Sequence, residues 1–462
     1  MHDAGGDAQV LPKRQVSSRH ETIAAIATAP GPAGVAVIRV SGPEAFAVAE
    51  RLTGRKVTRR GMSLRRVCAG DGGLIDEAVV LAFVAPDSYT GEDVVEFQCH
   101  GGTVTPRRVL EACLTAGARL ARRGEFTERA FLNGRLDYDQ AESVLDLIQA
   151  KTARAADAAL EGLSGRRRRV GRALYEQALA LSSELEHALD VDEGELPADF
   201  YETIRAKAAS LDASLGASIA RIRESRLLRE GARVVLAGAP NAGKSSLLNA
   251  LVGENRAIVS DRPGTTRDVI EVWLDLEGWP VRLIDTAGLR ETDEALEAEG
   301  VARAEKLIEE ADVVVFLGEG REKGEEGKSA ENQVLHQLLP SSPPSLIPIH
   351  PKCDLGRGAA LNVSAKTGEG LAELRRAIVA ALEKRAAETT ADASFADDDA
   401  ALSALLEART ALASSSADGA ANDLVLIGNA VRQAAERLGA FVGATYSEDL
   451  LDRLFSRFCV GK

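Results

Sequence analysis

Hydrophobic positions change their spacing several times along the chain, and each change predicts a different kind of structure. From Glu21 to Arg135 the apolar residues fall in short β-rich runs, Gly34 to Val40, Ala78 to Val84 and Val94 to Phe97, with one helical run, Pro106 to Ala116. That mixture predicts an α+β domain. From Asp139 to about Glu230 Ala, Leu, Glu, Arg and Gln dominate, apolar residues recur at three-to-four spacing and β-branched clusters almost vanish, which predicts helices. Val234 to Ala237 then reads as a buried strand opening an α/β domain that runs to about Lys384, with Gly370 to Leu382 as its last helix. Beyond an acidic low-complexity stretch, Ala391 to Ala400, the region Ala401 to Lys462 is helical again. Neither helical segment is followed by a core of its own, so the economical arrangement packs them together and inserts the α/β domain between them. The predicted divisions are 1–20, a disordered extension; 21–137, the α+β domain; 138–229, helical; 230–385, α/β; and 386–462, helical.

The strand at Val234 leads into Gly238, Ala239, Pro240, Asn241, Ala242, Gly243, Lys244 and Ser245, which fit G-x-x-x-x-G-K-[ST], and Ser246 to Val252 follows as a helix-forming run. Backbone N–H groups and the helix dipole would meet anionic oxygens there, Lys244 would reach the β- and γ-phosphates, and the Ser245 hydroxyl would complete a Mg²⁺ shell. A second apolar strand, Val281 to Ile284, ends in Asp285, Thr286, Ala287 and Gly288, where Asp285 would hold Mg²⁺ through water and the Gly288 N–H would meet the γ-phosphate. Between them lies Pro263, Gly264, Thr265, Thr266, Arg267, Asp268, a loop whose Thr266 can close on the metal in the triphosphate state. Ser364, Ala365 and Lys366 look like the loop that packs on guanine in small GTPases.

Two positions depart from the common pattern. Pro351, Lys352, Cys353, Asp354 stands where Asn-Lys-x-Asp is usual. Asp354 can still accept from guanine, but proline offers no side-chain amide, which predicts looser binding by about 0.5 to 1.5 kcal/mol. Leu289 occupies the place of the glutamine that orients water in Ras-like enzymes, so either hydrolysis is slow or a polar residue elsewhere serves; Glu291, Asp293, Glu294, Glu297 and Glu299 are candidates, or a solvated helix face.

Composition narrows the class. A chain of 462 residues suggests about three domains, and 45% hydrophobic with 27% charged residues is ordinary for a soluble globular protein. No apolar run is long enough to span a membrane, no secretory h-region is visible, and five cysteines without C-x-x-C argue for a reducing, cytoplasmic setting. A net charge of −14 means that any nucleic-acid partner must meet a local patch. Arg166 to Arg169 with Arg172, and Arg119, Arg122 and Arg123, are the basic clusters; solvated surface or intramolecular pairing is the alternative for each.

Four further segments carry a resemblance: Thr28 to Gly42 (TAPGPAGVAVIRVSG), Tyr89 to Gly102 (YTGEDVVEFQCHGG), Gly124 to Asp137 (GEFTERAFLNGRLD) and Phe458 to Lys462 (FCVGK). With the nucleotide motifs, they resemble the MnmE (TrmE) family of tRNA modification GTPases over nearly the whole chain. The resemblance implies an N-terminal folate-binding-like domain, a helical domain and an inserted Ras-like G domain. It implies GTP contacts by Asn241, Ala242, Gly243, Lys244, Ser245, Ser246, Ser260, Asp261, Arg262, Pro263, Gly264, Thr265, Thr266, Asp285, Thr286, Ala287, Gly288, Pro351, Lys352, Cys353, Asp354, Ser364, Ala365 and Lys366. Mg²⁺ would be held by Ser245 and Thr266, and K⁺ by Asn241, Ser260, Arg262 and Thr265; a turn-forming role is the alternative for Asn241. Glu297 matches the family's catalytic glutamate and would answer the puzzle of Leu289. Arg39, Glu96, Arg135 and Lys462 match the residues for a reduced folate, 5,10-methylene- or 5-formyl-tetrahydrofolate; strand residues with a surface role are the alternative for Arg39 and Glu96. Cys459 is a nucleophile candidate, with a buried small apolar residue as the alternative.

The family adds an aminomethyl or carboxymethylaminomethyl group at C5 of wobble uridine, as a homodimer with an FAD-dependent MnmG partner in a heterotetramer. A ribosome-assembly switch would share the nucleotide motifs without the folate residues, and a phosphotransferase would have no use for a guanine-reading loop.

Overall fold

The computed structural model describes residues 21–191, 195–239, 241–254, 270–285, 306–318, 345–358, 360–387, 400–414, 424–442 and 448–462. The chain divides into two compact units, one of residues 1–145 with 445–462 and one of residues 146–444.

The first unit is built on a six-stranded sheet. Along the chain come β1 (Ile23–Ile26), β2 (Val35–Ser41), α1 (Ala45–Thr53), β3 (Gly61–Cys68), β4 (Leu74–Phe83), β5 (Val94–His100), α2 (Thr105–Thr115), β6 (Arg119–Leu120), α3 (Glu125–Leu132) and α4 (Tyr138–Gln149). The strand order is β3-β4-β5-β2-β1-β6. Strand alternation sorts the side chains: Ala36, Ile38 and Val40 of β2 and Val95, Phe97 and Cys99 of β5 join the core that α1 and α2 cover. Arg39 and Glu96, one residue out of phase, face the other side as direct register partners. That second face carries Ile23, Ala25, Ala121 and Phe126, with Tyr89 beside them. Sequence reading found α2 but missed α1 and α3, although α1 buries Ala45, Phe46, Val48, Ala49 and Leu52 at helical spacing.

The second unit begins with α5 (Ala153–Leu163), α6 (Arg166–Leu189) and α7 (Phe200–Glu230). Next come β7 (Ala232–Gly238), α8 (Lys244–Glu254), β8 (Ile270–Leu276), β9 (Trp279–Asp285), β10 (Val313–Leu317), β11 (Ser345–Pro351), β12 (Leu361–Val363) and α9 (Leu371–Ala387). Finally α10 (Ala400–Ser414) and α11 (Leu424–Val442) follow. The sheet order is β12-β11-β10-β7-β9-β8, parallel throughout except where β8 meets β9. β7 is apolar almost continuously because both its faces are covered: Val234 and Leu236 enter one core, Val235 and Ala237 another. A third core joins Leu181 and Leu185 of α6 and Leu211 and Ile219 of α7 to Leu402 and Leu405 of α10 and Val431 and Leu438 of α11. Helices on both sides of the sheet's stretch of sequence therefore share one interior.

The end of the chain groups differently from its sequence reading. Composition assigns 386–462 to one helical segment, but α12 (Glu448–Ser456) and the residues after it pack in the first unit. Phe455 and Phe458 lie against Ala141 and Leu145 of α4, and Val460 makes an antiparallel bridge with Arg123. Among the described residues, no helix is long and apolar enough to cross a membrane.

Candidate functional site

The phosphate loop is shaped by backbone conformations that few residues accept. Gly238 has φ +149°, and a Cβ there would sit 2.6 Å from the Leu317 carbonyl oxygen. Asn241 has φ +62°, a left-handed conformation that asparagine tolerates, so its turn-forming role is real whatever else its side chain does. Lys244 opens α8 nearly buried, its Nζ donating to the Gly238 and Ala239 carbonyls at 2.9 Å each. The helix begins two residues before the predicted Ser246, so Lys244 and Ser245 sit in its first turn. The Ser245 hydroxyl donates to Oδ2 of Asp285 at 2.6 Å, and Asp285 is fully buried at the end of β9. A hydroxyl and a carboxylate converging at the mouth of a phosphate loop form the hard-oxygen donor set that Mg²⁺ takes.

A cavity of about 280 Å³ opens beside this loop, lined by Gly243, Lys352, Asp354, Ser364, Ala365 and Lys366 among others. The Ser364 hydroxyl, itself buried, donates to Oδ1 of Asp354 at 2.7 Å. That bond is the main cause holding the Asp354 carboxyl below its ordinary value, with Lys366 and Lys352 assisting. Asp354 is thereby fixed as an ionised acceptor. Lys352, at φ +57°, lays its stem along the loop, with Cε 3.8 Å from the Cβ position of Gly243, and its Nζ donates to the Asn241 carbonyl at 3.0 Å. The tie between base loop and phosphate loop that Pro351 cannot make is thus present through its neighbour.

In the first unit, Arg39 Nε donates to Oε1 of Glu96 at 2.7 Å, with both side chains about 15% exposed. The Arg39 guanidinium lies 5.2 Å from the Tyr89 ring centroid and 5.6 Å from that of Phe126. Its buried Nη1 has no hydrogen-bond partner in the described structure. Lys462 lies close enough to feel both charges: burial first, then Arg39, lowers its pKa, while Glu96 opposes the shift. The tail is seated by the Phe126 N–H donating to the Lys462 carbonyl at 3.2 Å and the Gly124 N–H to that of Cys459 at 3.4 Å. Tyr89 and Phe126, which sequence reasoning did not single out, are aromatic residues of the quoted motifs; that was the available signal.

Arg135 is exposed, and no hydrogen bond or ion pair joins it to Arg39 or Glu96 among the described residues; its stem lies by Gly91, whose Cβ position is 3.2 Å from Arg135 Cγ. Cys459 is exposed, which removes the buried alternative for it; Phe458 is the buried member of that pair. A separate cavity of about 320 Å³, lined by Thr28, Pro30, Gly102, Arg107, Leu120 and Val460 among others, includes neither Arg39 nor Glu96. Ser260, Asp261, Arg262, Pro263, Gly264, Thr265, Thr266, Thr286, Ala287, Gly288 and Glu297 lie outside the described residues. The basic clusters find partners within the chain: Arg119 pairs with Glu21 and Glu125, Arg122 with Glu128, Arg166 with Glu161 and Arg172 with Glu176.

Comparison with known proteins gives two family matches. Residues 22–135 match the family described as GTP-binding protein TrmE N-terminus, and residues 139–459 match the MnmE helical domain. A protein of Symbiobacterium thermophilum named tRNA modification GTPase MnmE is 43% identical over 96% of this chain and 99% of its own length. Proteins of the same name from Bordetella petrii and Ralstonia nicotianae are 42% and 41% identical, covering 96% and 99% of this chain and 100% and 98% of theirs.

Proposed function

Because this chain belongs to the MnmE family of tRNA modification GTPases, and is with it a GTP hydrolase acting in tRNA modification, we propose that it uses a reduced folate to modify wobble uridine at C5. The observation that carries this reading is the pairing of Arg39 with Glu96 under Tyr89 and Phe126, with Lys462 held beside them by the chain's own tail. A pterin edge offers an amine and a ring N–H to a carboxylate and accepts from a guanidinium; the free Nη1 of Arg39 supplies a donor without a partner. The folate, when bound, would supply the one-carbon unit. Arg39 and Glu96 orient its ring, and Lys462 adds positive charge in a half-enclosed setting. Arg135, set apart from the other three, suits a flexible anionic tail better than the ring.

In the G domain, read as an insertion within the helical domain, Ser245 and Thr266 would hold Mg²⁺ directly and Asp285 through water, Asp354 reads guanine, and Lys352 locks the two loops together. Asn241 contributes to a K⁺ site and Glu297 aligns water, so hydrolysis depends on potassium and on pairing of G domains in a homodimer. An FAD-dependent partner completes the tRNA reaction in the cytoplasm. The test is titration of 5-formyltetrahydrofolate into the full chain by calorimetry, with Glu96→Gln beside it. Measurable binding that weakens about tenfold in the variant supports the reading, a loss equivalent to one charge-assisted hydrogen bond. No binding, or equal binding by both proteins, overturns the folate assignment and leaves a GTPase acting in tRNA modification. GTP hydrolysis in KCl against NaCl, with Glu297→Ala, tests the potassium assignment independently.

A further inference from the structure

β8 and β9 form a hairpin whose two ends do different work. At one end β9 finishes in Asp285, bonded to the phosphate loop through Ser245. At the other, Leu276 pairs with Trp279 across a two-residue turn, Glu277 and Gly278, with φ +53° and +91°. Two consecutive left-handed residues make a tight turn whose twist matches the strands, so the ribbon moves as one piece.

That tip is gripped by the helices. The Thr152 hydroxyl donates to the Gly278 carbonyl at 2.7 Å while its oxygen also caps α5 by accepting from the Ala155 N–H at 3.2 Å. The Arg154 guanidinium sits 4.2 Å from the centroid of the fully buried Trp279 ring and pairs with Glu224 of α7 at 2.6 Å. Lys151 Nζ lies 4.9 Å from the Trp273 ring, and a Cβ on Gly231, at the end of α7, would fall 2.2 Å from that same ring. A displacement of the hairpin must therefore drag α5 and α7, or break these contacts.

We propose that Thr152 and Arg154 are positioning residues that carry the state of the nucleotide from Asp285, along the β8–β9 hairpin, into α5 and α7. The chain thereby has a rigid lever, about 20 Å long at strand rise, between its metal-side carboxylate and its helical part. It is a contiguous set of named contacts with a nucleotide-sensing group at one end, which is the physical form a coupling claim requires.

Hydrogen exchange of the full chain with GDP and with a non-hydrolysable GTP analogue tests this. In the wild type, exchange of α5 amides differs between the nucleotides by about fivefold, within the usual range of allosteric coupling. In Thr152→Val with Arg154→Met, nucleotide affinity and the protection of residues 241–247 stay as in the wild type, and the α5 and α7 response disappears; Thr152→Ser, which keeps the hydroxyl, keeps the response. A wild type whose α5 ignores the nucleotide, or a double variant that still responds, overturns the proposal. Should the double variant melt α5 in both nucleotide states, Arg154→Met alone decides, since it leaves the Thr152 cap of α5 in place and removes the guanidinium that joins Trp279 to Glu224.

Discussion

Replacing Glu125 with glutamine should unlock the corner of the first unit on which the tail rests. Glu125 is 1% exposed, yet its carboxylate accepts from Arg119 Nη1 and Nη2 at 3.0 and 2.7 Å, from the Arg122 N–H at 2.8 Å and from Arg129 Nη2 at 3.1 Å. Burial alone would raise its pKa; the Arg119 bonds, the Arg122 N–H and the Arg129 charge more than offset that and bring it to about 2. Against an unfolded value of about 4.3, at about 1.36 kcal/mol per pH unit, the gap contributes about 3 kcal/mol of stability at pH 7. Breaking a buried pair by removing one charge costs a similar 3–5 kcal/mol or so, because Arg129, 3% exposed, would lose the charge of a partner bonded at 3.1 Å. Since the folded value is depressed, this stability is complete above the unfolded pKa and is lost as pH falls from about 5 towards 2. Amide exchange in β1 and β2 reads it: the variant should lose about 3 kcal/mol of protection at pH 7, and its deficit should shrink by about 1 kcal/mol at pH 3.5. A deficit under about 1 kcal/mol at pH 7, or one indifferent to pH, would refute the reasoning.

Three other perturbations separate the parts of the molecule. Asp354→Asn removes an ionised acceptor of two base N–H groups, so GTP should bind on the order of 100-fold more weakly while xanthosine triphosphate gains; fluorescence titration showing equal weakening of both would count against guanine reading. Lys352→Met keeps the stem but deletes the bond to the Asn241 carbonyl, and stopped-flow release of GDP should quicken about tenfold; an unchanged rate would mean that the tie contributes nothing to nucleotide retention. Gly461→Ala puts a Cβ 2.2 Å from the Ile26 carbonyl oxygen at a residue with φ +107°, costing about 1–3 kcal/mol, so the tail should lift and folate affinity fall with no change in KM for GTP. Retained folate binding in that variant would detach Lys462 from the site.

How much of this was legible in the sequence depends on whether the signal is carried by side-chain type or by the main chain. The phosphate loop could be read directly, because glycines, a lysine and a serine at fixed spacing after an apolar run have few other uses; Ser245 bonds to Asp285, while Lys244 folds back on the loop's own Gly238 and Ala239 carbonyls. The substitution at Pro351 was read through side chains alone and therefore predicted only a loss; the replacement contact ends on a backbone oxygen of Asn241, which no residue name announces. The seating of the tail was hidden for the same reason. Composition groups Ala401 to Lys462 as helical, but what seats the last residues is a main-chain bridge from Val460 to Arg123 and N–H groups at the start of α3. Arg119 and Arg122 show the converse case: their sequence pattern permits a nucleic-acid patch, and Glu125 and Glu128, three to six residues on, already supplied the nearer partners. The face of the sheet holding Arg39 and Glu96 follows from alternation against Ile38 and Phe97, so that pairing was recoverable from strand period once the two strands were known to be neighbours. The neighbour relation itself is topological, and the same limit hid the grip of Thr152 on Gly278, 126 residues away, where the only hint in the sequence was a threonine able to cap a helix.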